Sequence, residues 1–257
     1  MGRDPVERTV CKYRELNFIA IVFCLGFISL CGGYALLRRD GNPGDAAWWL
    51  YAGGMTLVLI IWRIIVAFMR EPQNLPDSFF PGLANRLTVF RGLILCGLTG
   101  FLFLEWSEGI YAWIPGVLFC IFLLLDCLDG TIARLRDEIS AFGEFLDRDF
   151  DGLGTLVGIL LIIRCNRVPY WYILPGLAYY VFIFALWLRQ KLGYPLYPLP
   201  PSSFRRYASA LQSIFIAAIL LPLPSFPESV FLAAVFTIPV IAGFLRDWRL
   251  VAGYDRR

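Results

Sequence analysis

Residues 119–151 read FCIFLLLDCLDGTIARLRDEISAFGEFLDRDFD, and this stretch determines how the whole chain is interpreted. An apolar run ends directly before Asp126, and Asp129 follows within one helical turn. Asp147 and Asp151 come just before the next apolar run. A carboxylate this deep in an apolar helix costs on the order of 3 kcal/mol on insertion scales, and intramembrane ionisable residues usually face a cavity or an ion. The stretch therefore predicts a functional site built from carboxylates.

Helix geometry predicts that these four carboxylates meet. Asp126 and Asp129 are three residues apart, so they share one helix face. Asp147 and Asp151 are four apart and share a face of the next helix. With residues 135–142 as a cytoplasmic turn, an antiparallel helix pair would bring all four into one pocket. Their mutual repulsion favours two divalent cations, and oxygen ligands suit Mg²⁺ or Mn²⁺.

The alternative interpretation is a solvated acidic loop, which is disfavoured because Asp126 and Asp129 interrupt an apolar span. For the other acids of the stretch a solvated helix face is the favoured interpretation. These acids are Asp137, Glu138, Glu144 and Asp149.

Small residues flank the acids. Gly130, Ala133 and Gly143 would let a ligand approach the backbone, or would let two helices pack closely. Arg134 lies one turn beyond Gly130, where its planar guanidinium would suit a phosphate.

The composition indicates a membrane protein. Of the 257 residues, 58% are apolar and only 17% are charged, and the mean hydropathy is +0.65. These values exclude a soluble globular enzyme and a disordered chain. The chain has no histidine, so catalysis must use carboxylates, Arg, Lys, hydroxyls, thiols or metal ions. The seven cysteines form no C-x-x-C pair and predict no disulfide framework.

The distribution of apolar residues predicts an all-α integral membrane protein with about eight transmembrane helices. The apolar runs are Leu16–Leu37, Trp48–Met69, Leu87–Leu104, Tyr111–Leu125, Gly152–Ile163, Trp171–Leu188, Tyr207–Leu221 and Ser229–Leu245. Seventeen of the 23 basic residues fall on one side if the N-terminus is inside, so both termini and the acidic site are predicted to be cytoplasmic. Arg63, in the second run, is expected to extend its side chain to the cytoplasmic interface.

The acidic stretch resembles the CDP-alcohol phosphatidyltransferase family. The family signature is Asp-x-x-Asp-Gly-x-x-Ala-Arg, eight residues, then Gly-x-x-x-Asp-x-x-x-Asp. Every defined position is filled, by Asp126, Asp129, Gly130, Ala133, Arg134, Gly143, Asp147 and Asp151. Asn85, Thr88 and Arg91 are similar to the family's Asn-x-x-Thr-x-x-Arg motif, which begins its first core helix and helps to hold the donor.

The resemblance implies a six-helix phosphotransferase domain over residues 76–257, preceded by two additional helices in residues 1–75. It implies that Asp126, Asp129, Asp147 and Asp151 bind two metal ions, and that Asp151 is the base that deprotonates the acceptor alcohol. It also implies donor contacts from the small residues and Arg134, and from Ser140. The donor would be a CDP-linked lipid, CMP would be released, and the protein would be a homodimer.

A second stretch bears on the acceptor. Residues 202–212 are similar to the Gly-Lys-x-Lys-Thr-x-x-Gln segment of the phosphatidylglycerophosphate synthase branch of the family. Arg206, Ser209 and Gln212 line up with a Lys, the Thr and the Gln, and the match is partial. Arg205 and Arg206 would suit a phosphorylated acceptor such as glycerol 3-phosphate or an inositol phosphate. Anchoring at the cytoplasmic interface explains the same pair equally well.

The resulting prediction is an enzyme of phospholipid synthesis in a bacterial inner membrane, with CDP-diacylglycerol as donor and no nucleic-acid partner. Transfer from a CDP-alcohol, such as CDP-choline or CDP-ethanolamine, to a lipid acceptor is the alternative. A membrane prenyltransferase is disfavoured because it needs a second Asp-rich motif, and the chain has only isolated acids elsewhere. A divalent-cation transporter is disfavoured because the seventh and eighth runs contain no acid through the membrane depth.

Overall fold

The computed structural model describes residues 5–40, 43–70, 82–104, 112–200, 202–222 and 229–254. Within these ranges the chain forms eight α-helices and no strand, so the predicted all-α class is confirmed. The helices are α1 (Pro5–Asp40), α2 (Pro43–Arg70), α3 (Leu83–Gly100), α4 (Ile114–Leu135), α5 (Ala141–Arg164), α6 (Ile173–Lys191), α7 (Ser203–Leu220) and α8 (Ser229–Ala252). The ends of the chain and the predicted boundary at residues 75 and 76 lie outside the described residues.

Six of the eight helices are long and apolar enough to cross a membrane, which makes the chain a multi-pass integral membrane protein. The six segments are Leu16–Arg39, Gly44–Met69, Leu83–Phe103, Ile114–Leu135, Tyr170–Lys191 and Val230–Ala252. α5 and α7 are less apolar because charged residues occupy the first half of α5, and Arg205 and Arg206 lie in the first turn of α7. Large apolar side chains such as Leu124 and Phe184 are exposed on the helix surfaces, where lipid tails would cover them.

The described residues form two compact units. The first lies within residues 1–107 and 117–151 and contains α1 to α3, α4 from Val117 onward, and α5 through Asp151. The second comprises residues 108–116 and 152–257, with the remainder of α5 and α6 to α8. All four predicted carboxylates belong to the first unit.

Glycines set how closely the helices of the first unit approach each other. A Cβ built on Gly53 of α2 would lie 2.5 Å from a methyl carbon of Leu30 and 2.9 Å from the carbonyl oxygen of Cys96. A Cβ on Gly92 of α3 would lie 2.9 Å from the ring of Phe150. Such small residues let membrane helices pack through direct backbone contact. This packing holds α3 against both α2 and the helix that contains two of the acids.

The turn between α4 and α5 connects the two halves of the acidic stretch. Asp137 adopts a left-handed conformation (φ 52°), and the backbone N–H of Glu138 then donates to the carbonyl of Ala133 at 3.0 Å. The carboxylate of Glu138 accepts from the N–H of Ala84, 3.2 Å away, in the first turn of α3. Glu138 was predicted to lie on a solvated face, and this was wrong because its carboxylate satisfies a free donor at a helix N-terminus. Asp137 and Glu144 are exposed, as predicted.

The second unit is held by ring contacts and by backbone capping. Tyr172 is fully buried and its ring centroid lies 5.5 Å from that of Phe215 on α7. Arg167 donates hydrogen bonds to the carbonyls of Ile219 and Leu221, at 2.8 and 2.7 Å. These carbonyls lie at the C-terminal end of α7, where backbone acceptors have no partner within the helix. The arginine therefore fixes the position at which α7 ends.

Candidate active site

The four predicted aspartates converge in the first unit. Asp126 and Asp129 project from α4, and Asp147 and Asp151 project from α5. Carboxylate oxygens of Asp126, Asp129 and Asp147 all lie within 4.8 Å of one another. The convergence predicted from three- and four-residue spacing is therefore present. It arises because the short turn after α4 returns the chain antiparallel to itself.

Arg91 of α3 lies among these carboxylates. Its side chain is completely buried, and its Nη1 pairs with Asp126 and lies 3.6 Å from Asp129. Its Nη2 lies 2.8 Å from Asp147 and 3.0 Å from Asp151. Four carboxylates and one guanidinium leave a formal charge of −3 at the cluster. A single arginine thus bridges both acid-bearing helices to α3, an arrangement that the donor-binding role predicted for Arg91 did not anticipate.

Thr88 and Asn85 extend the same face of α3, since positions three residues apart lie one above the other on a helix. The hydroxyl of Thr88 donates to Asp129 at 2.9 Å, so the most buried of the four carboxylates has both Thr88 and Arg91 as partners. The Asn-x-x-Thr-x-x-Arg motif therefore supports the acidic cluster. Its predicted contact with the donor stays a prediction.

Ser140, Asn85 and Gly143 form a second small network at the beginning of α5. Ser140 is the residue before the first turn, and its hydroxyl accepts from the N–H of Gly143 at 3.0 Å, as an N-cap does. The amide nitrogen of Asn85 also donates to this hydroxyl at 3.0 Å. A Cβ on Gly143 would lie 2.5 Å from Oδ1 of Asn85, so any larger residue there would have to displace Asn85. Ser140 was predicted to contact the donor, and the structure gives it a buried capping role.

Three of the four carboxylates in the cluster are accessible from outside the protein. The side chain of Asp129 is 6% exposed, whereas those of Asp126, Asp147 and Asp151 are 37%, 44% and 50% exposed. A ligand can therefore reach three of the four carboxylates. Oxygen donors with a net negative charge are the ligand set that hard divalent cations prefer, so the cluster fits a divalent metal.

The remaining motif residues continue α4 beyond Asp129. Arg134 is exposed, and its guanidinium lies over Gly130, with Nη1 3.7 Å from the position that a Cβ on Gly130 would occupy. Ala133 is half-buried on the same helix. A side chain at residue 130 would take the space beside the guanidinium. The pattern fits a small residue beside an exposed cation.

The basic pair predicted to bind the acceptor belongs to the second unit. Arg205 forms an ion pair with Asp247 of α8 at 2.7 Å, and the carboxylate of Asp247 is almost completely buried. Arg206 is exposed in the same turn. Ser202 caps this helix, since its hydroxyl accepts from the N–H of Arg205 at 3.4 Å. Of the pair, Arg205 is therefore already bound to a carboxylate.

Arg63 and Asp149 are partners that the sequence did not predict. Arg63 was expected to extend to the membrane interface, and Asp149 was expected to lie on a solvated face. The two side chains form an ion pair between α2 and α5 and are 25% and 20% exposed, so the prediction for Asp149 was wrong and that for Arg63 stays a prediction. The signal available in the sequence was a single arginine inside an otherwise apolar run.

Fold and site together define a helical membrane protein with a tetra-aspartate centre on a helical hairpin. Residues 82–245 match the CDP-alcohol phosphatidyltransferase family, and because this match covers more than half of the chain, the protein belongs to that family. α1 and α2 precede the matched region.

Two relatives are both called CDP-diacylglycerol–glycerol-3-phosphate 3-phosphatidyltransferase. The protein of Cereibacter sphaeroides is 29% identical over 140 residues, which cover 54% of this chain and 63% of the relative. That of Wigglesworthia glossinidia brevipalpis is 30% identical over 91 residues, covering 35% of this chain and 48% of the relative. The chain thus spans less than two thirds of the length of the relatives it matches.

Proposed function

We propose that the protein transfers a phosphatidyl group from CDP-diacylglycerol to glycerol 3-phosphate and releases CMP. The observation that carries this proposal is the half-open cluster of four carboxylates around Arg91. Family membership supplies the reaction class, and the two relatives' names supply the donor and the acceptor.

Asp126, Asp129, Asp147 and Asp151 are the residues that would hold two divalent cations, Mg²⁺ or Mn²⁺. Bound there, such ions would neutralise charge on the donor's pyrophosphate and on the departing CMP. Arg91 and Thr88 hold the carboxylates in place from the opposite side.

Asp151 is our proposed general base. Its carboxylate is the most exposed of the four, so an alcohol can approach it. The acceptor oxygen would attack the phosphorus of the phosphatidyl group while Asp151 takes its proton, and the bond from that phosphorus to CMP would break. A carboxylate is the appropriate base because the chain has no histidine.

Arg134 is our proposed donor-phosphate contact, because it is exposed beside the cluster and has the planar donors that phosphates prefer. Gly130 and Ala133 would leave room for the donor next to it. Asn85, Ser140 and Gly143 would act on the donor indirectly, by setting the beginning of α5.

For the acceptor phosphate we favour Arg206 over Arg205, because Arg205 is already paired with a buried carboxylate. Arg206→Met should raise the KM for glycerol 3-phosphate by about tenfold, the effect of losing one charge-assisted hydrogen bond. An unchanged KM would leave anchoring at the membrane interface as the role of the pair.

The test is CMP release by the purified protein from CDP-diacylglycerol, with Mg²⁺, with Mn²⁺ and with EDTA. Glycerol 3-phosphate is compared with glycerol, serine, inositol and inositol 1-phosphate. We expect metal-dependent release stimulated by glycerol 3-phosphate and absent in Asp151→Asn. Stimulation by another alcohol would overturn the assignment of glycerol 3-phosphate as the acceptor. Release of CMP only from CDP-choline or CDP-ethanolamine, with diacylglycerol as acceptor, would overturn the assignment of CDP-diacylglycerol as the donor.

The cellular setting is also part of the proposal: a bacterial inner membrane, cytoplasmic termini and a homodimer. The uneven distribution of Lys and Arg supports the orientation. Protease accessibility of terminal tags in sealed inner-membrane vesicles tests the orientation. Light scattering of the detergent-solubilised protein tests the dimer.

A further inference from the structure

We propose that Arg63 of α2 is a positioning residue for the acidic site: through its ion pair with Asp149 it fixes the rotation of α5, and hence the direction of Asp147 and Asp151. The inference rests on the proposed function for what these acids catalyse. Its test also uses metal binding, which does not depend on the identity of the substrates.

The turn of α5 around Asp149 carries acids on two opposite faces. Asp149 follows Asp147 by two residues and precedes Asp151 by two, which is about 200° of helical rotation each way. Asp149 therefore points away from the face that Asp147 and Asp151 share, and it does so within the same turn. Arg91 binds the shared face from α3, and Arg63 binds Asp149 from α2. Two arginines on two different helices thus hold one turn of α5 from opposite sides.

Arg63 is itself held firmly. Both its Nε and its Nη2 contact Oδ2 of Asp149. Its guanidinium carbon lies 4.4 Å from the ring centroid of Phe145, one turn before Asp149 on α5, and 5.5 Å from that of Trp62. A guanidinium over an aromatic face is attracted by the ring quadrupole, and more strongly where water is excluded. The contacts that hold the Arg63 guanidinium thus come from α5 and from its own helix.

Two apolar contacts flank the ion pair. Phe68 of α2 packs on Phe142 of α5 with ring centroids 4.7 Å apart. At the other end, Ile60 of α2 and Phe150 of α5 each lie beside Gly92 of α3, 3.4 and 2.9 Å from the position that a Cβ there would occupy. The α2 residues ascend in number while their α5 partners descend, so the two helices run antiparallel along this seam. The ion pair lies in the middle of the seam, where it determines rotation as well as distance.

The seam gives α2 a role in the site although α2 lies outside the matched region, residues 82–245. Outer partners that orient a metal-binding side chain typically change metal affinity or activity by 10- to 100-fold when they are removed. A displacement of about 1 Å at a reacting group has an effect of similar size. α2 would thus support catalysis without touching the substrate.

The experiment compares four variants with wild type. They are Arg63→Ala, Arg63→Lys, Arg63→Asp, and the reversed pair in which Arg63→Asp is combined with Asp149→Arg. Glu144→Gln is the matched control, because Glu144 is an exposed acid on the same helix. Two quantities are measured on purified full-length protein: Mn²⁺ affinity, from the free-Mn²⁺ EPR signal, and kcat and KM for CMP release.

For Arg63→Ala we expect a roughly tenfold or greater loss of Mn²⁺ affinity and of kcat, with KM for the donor changed by less than about threefold. Arg63→Lys keeps the charge over Phe145 but cannot place two nitrogens on Oδ2 of Asp149, so it should lose part of the Mn²⁺ affinity and of kcat, less than Arg63→Ala loses. The reversed pair should recover most of what Arg63→Asp alone loses, and Glu144→Gln should behave as wild type.

Wild-type Mn²⁺ affinity and kcat in Arg63→Ala would overturn the inference. So would losses that equal the lost folded fraction, or a reversed pair no better than Arg63→Asp alone. If Arg63→Ala does not fold, the results for Arg63→Lys and for the reversed pair decide whether the inference holds. Absence of CMP release in the wild type would refute the proposed function, whereas the Mn²⁺ titration would still decide the inference.

Discussion

Replacement of Arg91 by methionine separates the arginine's charge from its bulk. The side chain is completely buried and contacts all four site carboxylates, so methionine fills similar volume but removes the only cation that the described residues place there. Its ring contact with Phe122, 5.1 Å from the guanidinium carbon, can be kept by a thioether. The variant therefore tests the electrostatic account of the cluster.

The expected loss of folding stability in Arg91→Met depends on how exposed each carboxylate is. Asp126, Asp147 and Asp151 have side chains 37–50% exposed, so water can compensate for much of the lost partner. Asp129 is 6% exposed and would keep only the hydroxyl of Thr88. Breaking a buried ion pair costs about 3–5 kcal/mol, and with one carboxylate truly buried we expect about 3 kcal/mol. At roughly 2–4 °C per kcal/mol this lowers the Tm by about 6–12 °C.

The assay is thermal unfolding of the detergent-solubilised protein in EDTA and in millimolar Mn²⁺, with Arg148→Met as control. Arg148 is an exposed arginine on α5, so its loss should change the Tm by less than about 2 °C. Mn²⁺ should restore part of the Tm lost in Arg91→Met, because a cation that binds the folded state stabilises it. A Tm in EDTA equal to that of wild type would refute the reasoning, as would an equal loss in Arg148→Met.

Three further predictions concern single contacts. Asp151→Asn should reduce CMP release by at least about 10²-fold while the Tm is retained, because the side chain is half exposed; wild-type release would refute its role as base. Gly143→Ala should cost about 1–3 kcal/mol in chemical denaturation, since its Cβ would displace Asn85. Gly53→Val should similarly destabilise the contact with Cys96 on α3. Unchanged unfolding in either glycine variant would contradict the close packing, and Gly54→Ala, with open space at its Cβ, is the control.

Helix content and the acidic site were predictable because both depend on local periodicity. An apolar run of about 20 residues must form a helix in lipid, since every backbone donor and acceptor needs a partner within the segment. Acids spaced three and four apart share a face of any helix, so Asp126 with Asp129 and Asp147 with Asp151 could be paired before the fold was known.

The roles of the residues that contact the acidic helices were not predictable, because each role depends on which face of one helix meets another. The sequence places Arg91 in a motif, but its distances to four carboxylates depend on how α3, α4 and α5 pack. Glu138 looked like a loop acid and caps α3. Ser140 was predicted to meet the donor and caps α5.

By itself, then, the sequence determined an all-helical membrane protein with four converging carboxylates, since helical spacing and apolar length are properties of single segments. Only the tertiary structure decided which cations hold those carboxylates. Arg63 and Asp149 are 86 residues apart in the chain, and no local pattern brings them together. Their ion pair forms where Phe68 of α2 packs on Phe142 of α5, and because both side chains are at least three-quarters buried, each charge needs the other.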